Sequence, residues 1–138
     1  MNKRTLMVAA IILGACLLFF QPIFANALPE DWVAPASADS LQSPIKSNSD
    51  SWMPGEAIYK TACGVCHGVS GFGDGIAAVA LNPRPADLTS KVVQDQSDGA
   101  LFWKLTTGKT PMASYKDVYT DQQRWELVEY IRNLEKKD

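Results

Sequence analysis
The run Cys63-Gly64-Val65-Cys66-His67 restricts this 138-residue chain more tightly than any other feature. Two thiols three positions apart share one turn of helix, and an imidazole follows directly. That is the attachment pattern for a c-type haem. Each thiol can add to a haem vinyl group as a thioether, and the imidazole then reaches the iron from the same side. Other uses of the run fit less well. A redox dithiol needs a strand before the motif and a sheet around it, and no stretch here alternates as a strand would. Zinc needs four ligands, whereas residues 28–138 supply only Cys63, Cys66 and His67 as thiol or imidazole donors. A disulfide closing so small a loop would stabilise little. The cofactor expected is one covalent haem c with its iron.

His67 is the only histidine, so it is the proximal axial ligand and no second imidazole exists within the chain. Of the four methionines, Met1 and Met7 lie in the N-terminal segment, and Met53 immediately precedes the helix carrying the motif. Met112 comes well after the motif, in Thr110-Pro111-Met112 between two expected helices. Elimination leaves Met112 as the distal ligand, and a His/Met pair raises the reduction potential. Iron filled at both axial positions does not readily bind peroxide, oxygen or nitrite. The pattern therefore points to a single-electron carrier rather than an enzyme. The alternative is a haem-based sensor or peroxidase in which Met112 is displaceable. Ile58, Phe72, Leu81, Leu101, Leu105 and Tyr115 are the candidates for an apolar pocket that keeps water from the iron.

The N-terminus reads as an export segment. Lys3 and Arg4 precede an uncharged run over residues 6–20, Gln21-Pro22 breaks it, and Ala25-Asn26-Ala27 offers a small-x-small cleavage site. Two rival readings apply to residues 1–27. Residues 6–24 could span a bilayer as an uncleaved anchor, since about 20 apolar residues suffice. Leu13-Gly14-Ala15-Cys16 resembles a lipobox, although Leu17-Leu18-Phe19-Phe20 stays apolar where a mature lipoprotein turns polar. All three place the remainder in the periplasm or on the outer face of the cytoplasmic membrane, with membrane association through the N-terminus an option. Beyond residue 27 the chain carries 11 bases against 15 acids, a net charge of −4. No run of Lys and Arg appears, which excludes nucleic acid as a partner.

Residues 28–51 are rich in Pro and Ser and show no period, so they form a linker or an arm laid on the domain. Residues 52–138 have the composition of a folded domain. Pro54 marks a helix start, and Ile58, Tyr59 and Ala62 share a face. The glycine-rich stretch 68–75 cannot be regular structure. It also lacks the strand and spacing of a phosphate-binding loop. Asn82-Pro83-Arg84-Pro85 forces extended backbone. A short helix is expected over 98–106, ended by Gly108. A last helix opens at Asp121, with Trp125, Leu127, Val128, Ile131 and Leu134 on one broad face. The fold class expected is all-α.

These residues resemble the class I cytochromes c over roughly residues 52–137. The family places a glycine, an aromatic four residues on and the first haem cysteine four later; Gly55, Tyr59 and Cys63 keep that register. The resemblance implies a few helices wrapped around the haem, after an extended N-terminal arm. It also implies that the first helix crosses the last at right angles, with Leu127 and Tyr130 packed on Gly55 and Tyr59. In the family a proline carbonyl accepts the proximal histidine's hydrogen bond; Pro83 is the first candidate and Pro85 the second. Trp103 and Arg84 correspond to groups that meet the haem propionates. Residues 35–68 and 82–89 further resemble small monohaem cytochromes and cytochrome subunits of bacterial respiratory complexes. The partners implied are redox proteins, membrane respiratory complexes among them, with the chain acting as a shuttle or as a subunit.

Overall fold
The computed structural model describes residues 32–134. The export segment expected over residues 1–27 lies outside the described residues. Five α-helices follow in order: α1 Met53–Ala62, α2 Gly64–His67, α3 Lys91–Gln94, α4 Asp98–Thr107 and α5 Asp121–Leu134. Short 3-10 turns occur at Ala36–Ser40 and Ala78–Ala80. Among the described residues there is no strand, only an isolated bridge between Lys109 and Met112. No described helix is long and apolar enough to cross a membrane. The fold is the all-α class I cytochrome c fold.

The helix starts follow from local chemistry. Pro54 sits in the first turn of α1, where a missing N–H costs nothing. The Ser97 side chain accepts from Ala100 N–H and caps α4. At α5, Thr120 Oγ1 accepts from Gln123 N–H at 3.2 Å while Gln123 Oε1 accepts from Thr120 N–H at 2.9 Å. This reciprocal pair is a capping box.

Helices α1 and α5 form the core contact. Tyr59, Leu127 and Tyr130 are fully buried, and the two tyrosine rings meet at 4.9 Å between centroids. Trp52 adds its ring against Tyr130 at 6.2 Å. Gly55 makes the approach possible. A Cβ there would lie 1.9 Å from the Glu126 carbonyl oxygen and 3.0 Å from Tyr130 Cβ, so only a glycine lets the backbones meet. The quartet expected at the crossing is therefore in contact. On the other flank of α5, Phe102 of α4 stacks on Trp125 at 4.2 Å with 12° between planes. Such aromatic pairs contribute about 0.5–1.5 kcal/mol beyond the area they bury.

Residues 32–51 are an arm packed on the domain rather than a free spacer. Ala38 is buried, Trp32 meets Trp103 of α4 at 6.4 Å, and Ser97 Oγ donates to the Asp39 carboxylate. Farther along, Ser47 and Ser51 hydroxyls donate to the Glu129 carboxylate of α5. Short polar side chains thus bond to the helices, which explains why the arm shows no apolar period.

Gly55→Ala puts a methyl group into the α1–α5 contact. Overpacking of this kind costs about 1–3 kcal/mol. Thermal unfolding followed by far-ultraviolet circular dichroism should show a lowered midpoint; an unchanged midpoint would mean that the two helices separate freely at this point.

Candidate functional site
The two thiols stand at the junction of α1 and α2. Cys63 closes α1, its N–H donating to Tyr59 O at 2.8 Å, and at once opens the next turn by accepting from His67 N–H at 2.8 Å. Neither Cys63, which is buried, nor Cys66, which is half-buried, is in a disulfide. Burial pushes the Cys63 thiol up to about 12, with Cys66 beside it adding to the effect. Unmodified, Cys63 is therefore a neutral S–H at physiological pH and a poor nucleophile towards chance reagents.

The glycine-rich stretch is a cap for α2. Its last carbonyls have no partner within so short a helix. Ala77 N–H donates to Val65 O at 2.9 Å, Gly75 N–H to Cys66 O at 3.1 Å and Gly73 N–H to His67 O at 2.8 Å. Tyr59 Oη donates to Gly68 O at 2.8 Å and ties the start of this loop to α1. The loop therefore fixes the helical turn from which both thiols and the imidazole project.

His67 Nδ1 donates to the carbonyl of Ala86 at 3.0 Å. This corrects the expectation of Pro83 or Pro85 as acceptor: the partner is the residue after both. Pro83 is exposed and joined to Asn82 by a cis bond, and the half-buried Pro85 turns its carbonyl towards Gly73 instead. The next carbonyl in this extended segment faces the imidazole. Because Nδ1 carries the proton, the lone pair falls on Nε2, the nitrogen then able to bind iron. Burial holds the His67 pKa below its ordinary value, against an upward contribution from the Ala86 hydrogen bond, which keeps the ring neutral and able to ligate.

Met112 approaches from the segment after α4. Gly108 ends the helix, and Lys109 and Met112 exchange backbone hydrogen bonds at 3.1 and 2.8 Å around the cis Thr110–Pro111 bond. Ser114 Oγ donates to Thr106 O at 2.7 Å and Tyr115 N–H to Leu105 O at 3.0 Å, clipping the segment to α4. Tyr115 Oη donates to Ala62 O at 3.2 Å. That bond brings the Met112 segment to the Cys63 end of α1. Burial, with Cys63 nearby, pushes the Tyr115 phenol up to about 12. Met112 itself is half-buried against the core. Met53, by contrast, is 51% exposed at the opposite end of α1, a helix of about 15 Å.

The remaining expected residues divide. Leu101 and Leu105 are buried, Ile58 and Leu81 half-buried, and Phe72 stands 51% exposed in the glycine-rich loop. Trp103 is half-buried against Trp32, and Arg84 is exposed. Sequence reasoning passed over Ala86, which acts through its backbone, and Trp32, an isolated aromatic in a Pro- and Ser-rich stretch. Among the described residues no three His, Cys, Asp or Glu side chains converge as a metal cluster. Two cysteines outside any disulfide on one turn, an imidazole with its lone pair on Nε2 and a thioether on a clipped segment suit haem c and its iron. Cys63, Cys66, His67 and Met112 could hold them.

The family model described as cytochrome c oxidase, cbb3-type, subunit III matches residues 50–131, and the chain belongs to that family of c-type cytochrome domains. Its cofactor is covalently bound haem c with iron, and its chemistry is electron transfer. Among solved structures it is similar to a chain of the Kuenenia stuttgartiensis reducing HAO-like protein complex Kustc0457/Kustc0458. The identity is 30% and the TM-score 0.60, over 70% of this chain and 48% of that one. The chain thus spans about half the length of that relative. No curated protein matches it.

Gly73 has φ of +73°, and a Cβ there would lie 2.4 Å from the Pro85 carbonyl oxygen. Gly73→Ala should push the 85–86 segment away from His67, with a strain cost of about 1–3 kcal/mol. In proton NMR of the reduced holoprotein, the His67 ring N–H should exchange with solvent faster than in the parent. Equal exchange would mean that Gly73 does not hold the Ala86 carbonyl in place.

Proposed function
We propose that this protein is a single-electron carrier in a respiratory or related chain. Its haem c would be attached through Cys63 and Cys66, with His67 and Met112 as the axial pair. One observation carries the choice of Met112: the Tyr115–Ala62 hydrogen bond holds the methionine segment at the Cys63 end of α1, a helix length away from Met53.

When bound, the haem iron takes up one electron and gives it back. The protein's part is to keep the site rigid and dry. Cys63 and Cys66 fix the group to a capped turn that cannot shift. The Ala86 carbonyl orients the His67 ring and raises its basicity as a ligand. Leu101 and Leu105 would exclude water from the bound group, and the Met112 thioether, as a ligand, would favour its reduced state. With His67 and Met112 both holding the iron, no position would be left for a substrate.

Electrons would pass at the edge beside Cys66, where Val65 is exposed between the two thiols. The neighbouring stretch 68–80 carries a single charged residue, Asp74. Electron-transfer contacts of this kind are small and transient. The partners would be redox proteins of membrane complexes, with this chain as a shuttle or a resident subunit. The matched family's description and the neighbour's place in a complex both support that reading. Residues 1–27 would export the chain to the periplasm or to the outer face of the cytoplasmic membrane, removed as a signal, retained as an anchor or lipidated at Cys16.

Met112→Ala tests the axial pair. The ferric holoprotein should lose the weak red absorption band that arises from Fe–S bonding, its reduction potential should fall, and the reduced form should bind carbon monoxide. An unaltered spectrum would rule Met112 out as the ligand.

A further inference from the structure
Among the described residues, Arg124 is the one charged residue that is buried, at 3% exposure. Removing a guanidinium from water is costly unless its bonds are well made, and nothing in electron transfer as described above uses this one. Its hydrogen bonds all lead to one place. Nη1 donates to the carbonyls of Lys116 at 2.9 Å, Tyr119 at 3.1 Å and Tyr115 at 3.4 Å. Nη2 donates to the Asp121 carboxylate, and the guanidinium lies over the Phe102 ring at 5.2 Å. Nε has no partner.

The 115–119 turn that accepts these bonds begins three residues after Met112. Tyr115 is held at several points besides: its N–H on Leu105 O, its hydroxyl on Ala62 O and its ring on Tyr119 at 5.7 Å. Those contacts tie the turn to α4 and to the end of α1. Arg124 supplies the third attachment, to α5. A lysine could not replace it, because a point charge on a flexible stem does not span several carbonyls as a planar fork does.

We propose that Arg124 is a positioning residue for the distal ligand: its guanidinium fixes the 115–119 turn so that Met112 stays on the iron against competing ligands. The proposal rests on the His67/Met112 reading above. It differs from a plain stabilising role, and Arg132 provides the matched comparison. Arg132 also forks onto backbone carbonyls, those of Gln94 and Gln96, and pairs with Asp98. Its bonds join α5 to α3 and α4 without touching the Met112 segment.

The experiment is an imidazole titration of the ferric holoprotein, read from the haem spectrum, with thermal midpoints measured alongside. Arg124→Lys should raise the apparent imidazole affinity about tenfold, the factor expected when part-buried carbonyls lose a charged donor. Arg132→Lys should lower the thermal midpoint and leave the affinity unchanged. In a Met112→Ala background, Arg124→Lys should add nothing further. Should Arg124→Lys fail to accumulate, Asp121→Asn removes only the exposed carboxylate that orients the guanidinium, and about a threefold rise is expected. An unchanged affinity in these Arg124 and Asp121 variants, or an equal rise in Arg132→Lys, would overturn the proposal while leaving the ligand assignment intact. An unchanged affinity in Met112→Ala itself would overturn the axial pair, and the positioning role with it.

Discussion
The backbone contact between α1 and α5 at Gly55 decides where everything else in the domain can lie. Cys63 is the residue that closes α1, so the direction of that helix sets the position of the first thiol. Gly55 presses the helix onto the Glu126 carbonyl, and Tyr59 and Tyr130 lock the pair one turn farther on. From Cys63 the chain turns directly into α2, which presents Cys66 and His67. A side chain at residue 55 would act on the site through rotation of a rigid helix, not through any contact with it.

Loops rather than helices complete the site, and each is held by backbone hydrogen bonds. The glycine-rich loop satisfies the last carbonyls of α2, and residues 82–86 bring one carbonyl to His67. The segment after α4 carries Met112 and is clipped at Thr106, Leu105 and Ala62. Bonds of this type contribute about 1 kcal/mol each. They do little for overall stability, but they leave the ligand-bearing groups few alternative positions. Low freedom of movement at the iron is what fast electron exchange requires, since an electron carrier should change shape as little as it can between oxidation states.

Much of this was legible in the amino-acid sequence because the chemistry is carried by side chains at fixed spacing. Cys63, Cys66 and His67 fall within five residues, and Met112 is the distal candidate that elimination leaves among the methionines. The helices over 53–62, 98–107 and 121–134 have start signals, Pro54 in the first and capping side chains in the other two, that can be read directly. What escaped has physical reasons. Ala86 acts through a carbonyl, a group every residue possesses. The four-residue α3 is too short to display a period. The arm is held by Trp32, Ala38 and serine hydroxyls, which look the same in a free linker. Nothing in the sequence singles out Arg124, because a buried arginine differs from an exposed one only in where its bonds end.

The most direct test of a covalent haem on the 63–67 run is acid–acetone extraction of the purified protein, followed by mass spectrometry of its tryptic peptides. The account predicts that the red colour stays with the polypeptide. The peptide containing Cys63 and Cys66 should be heavier by one haem, with neither thiol open to alkylation. Colour passing into the solvent, with both thiols free to react, would contradict it.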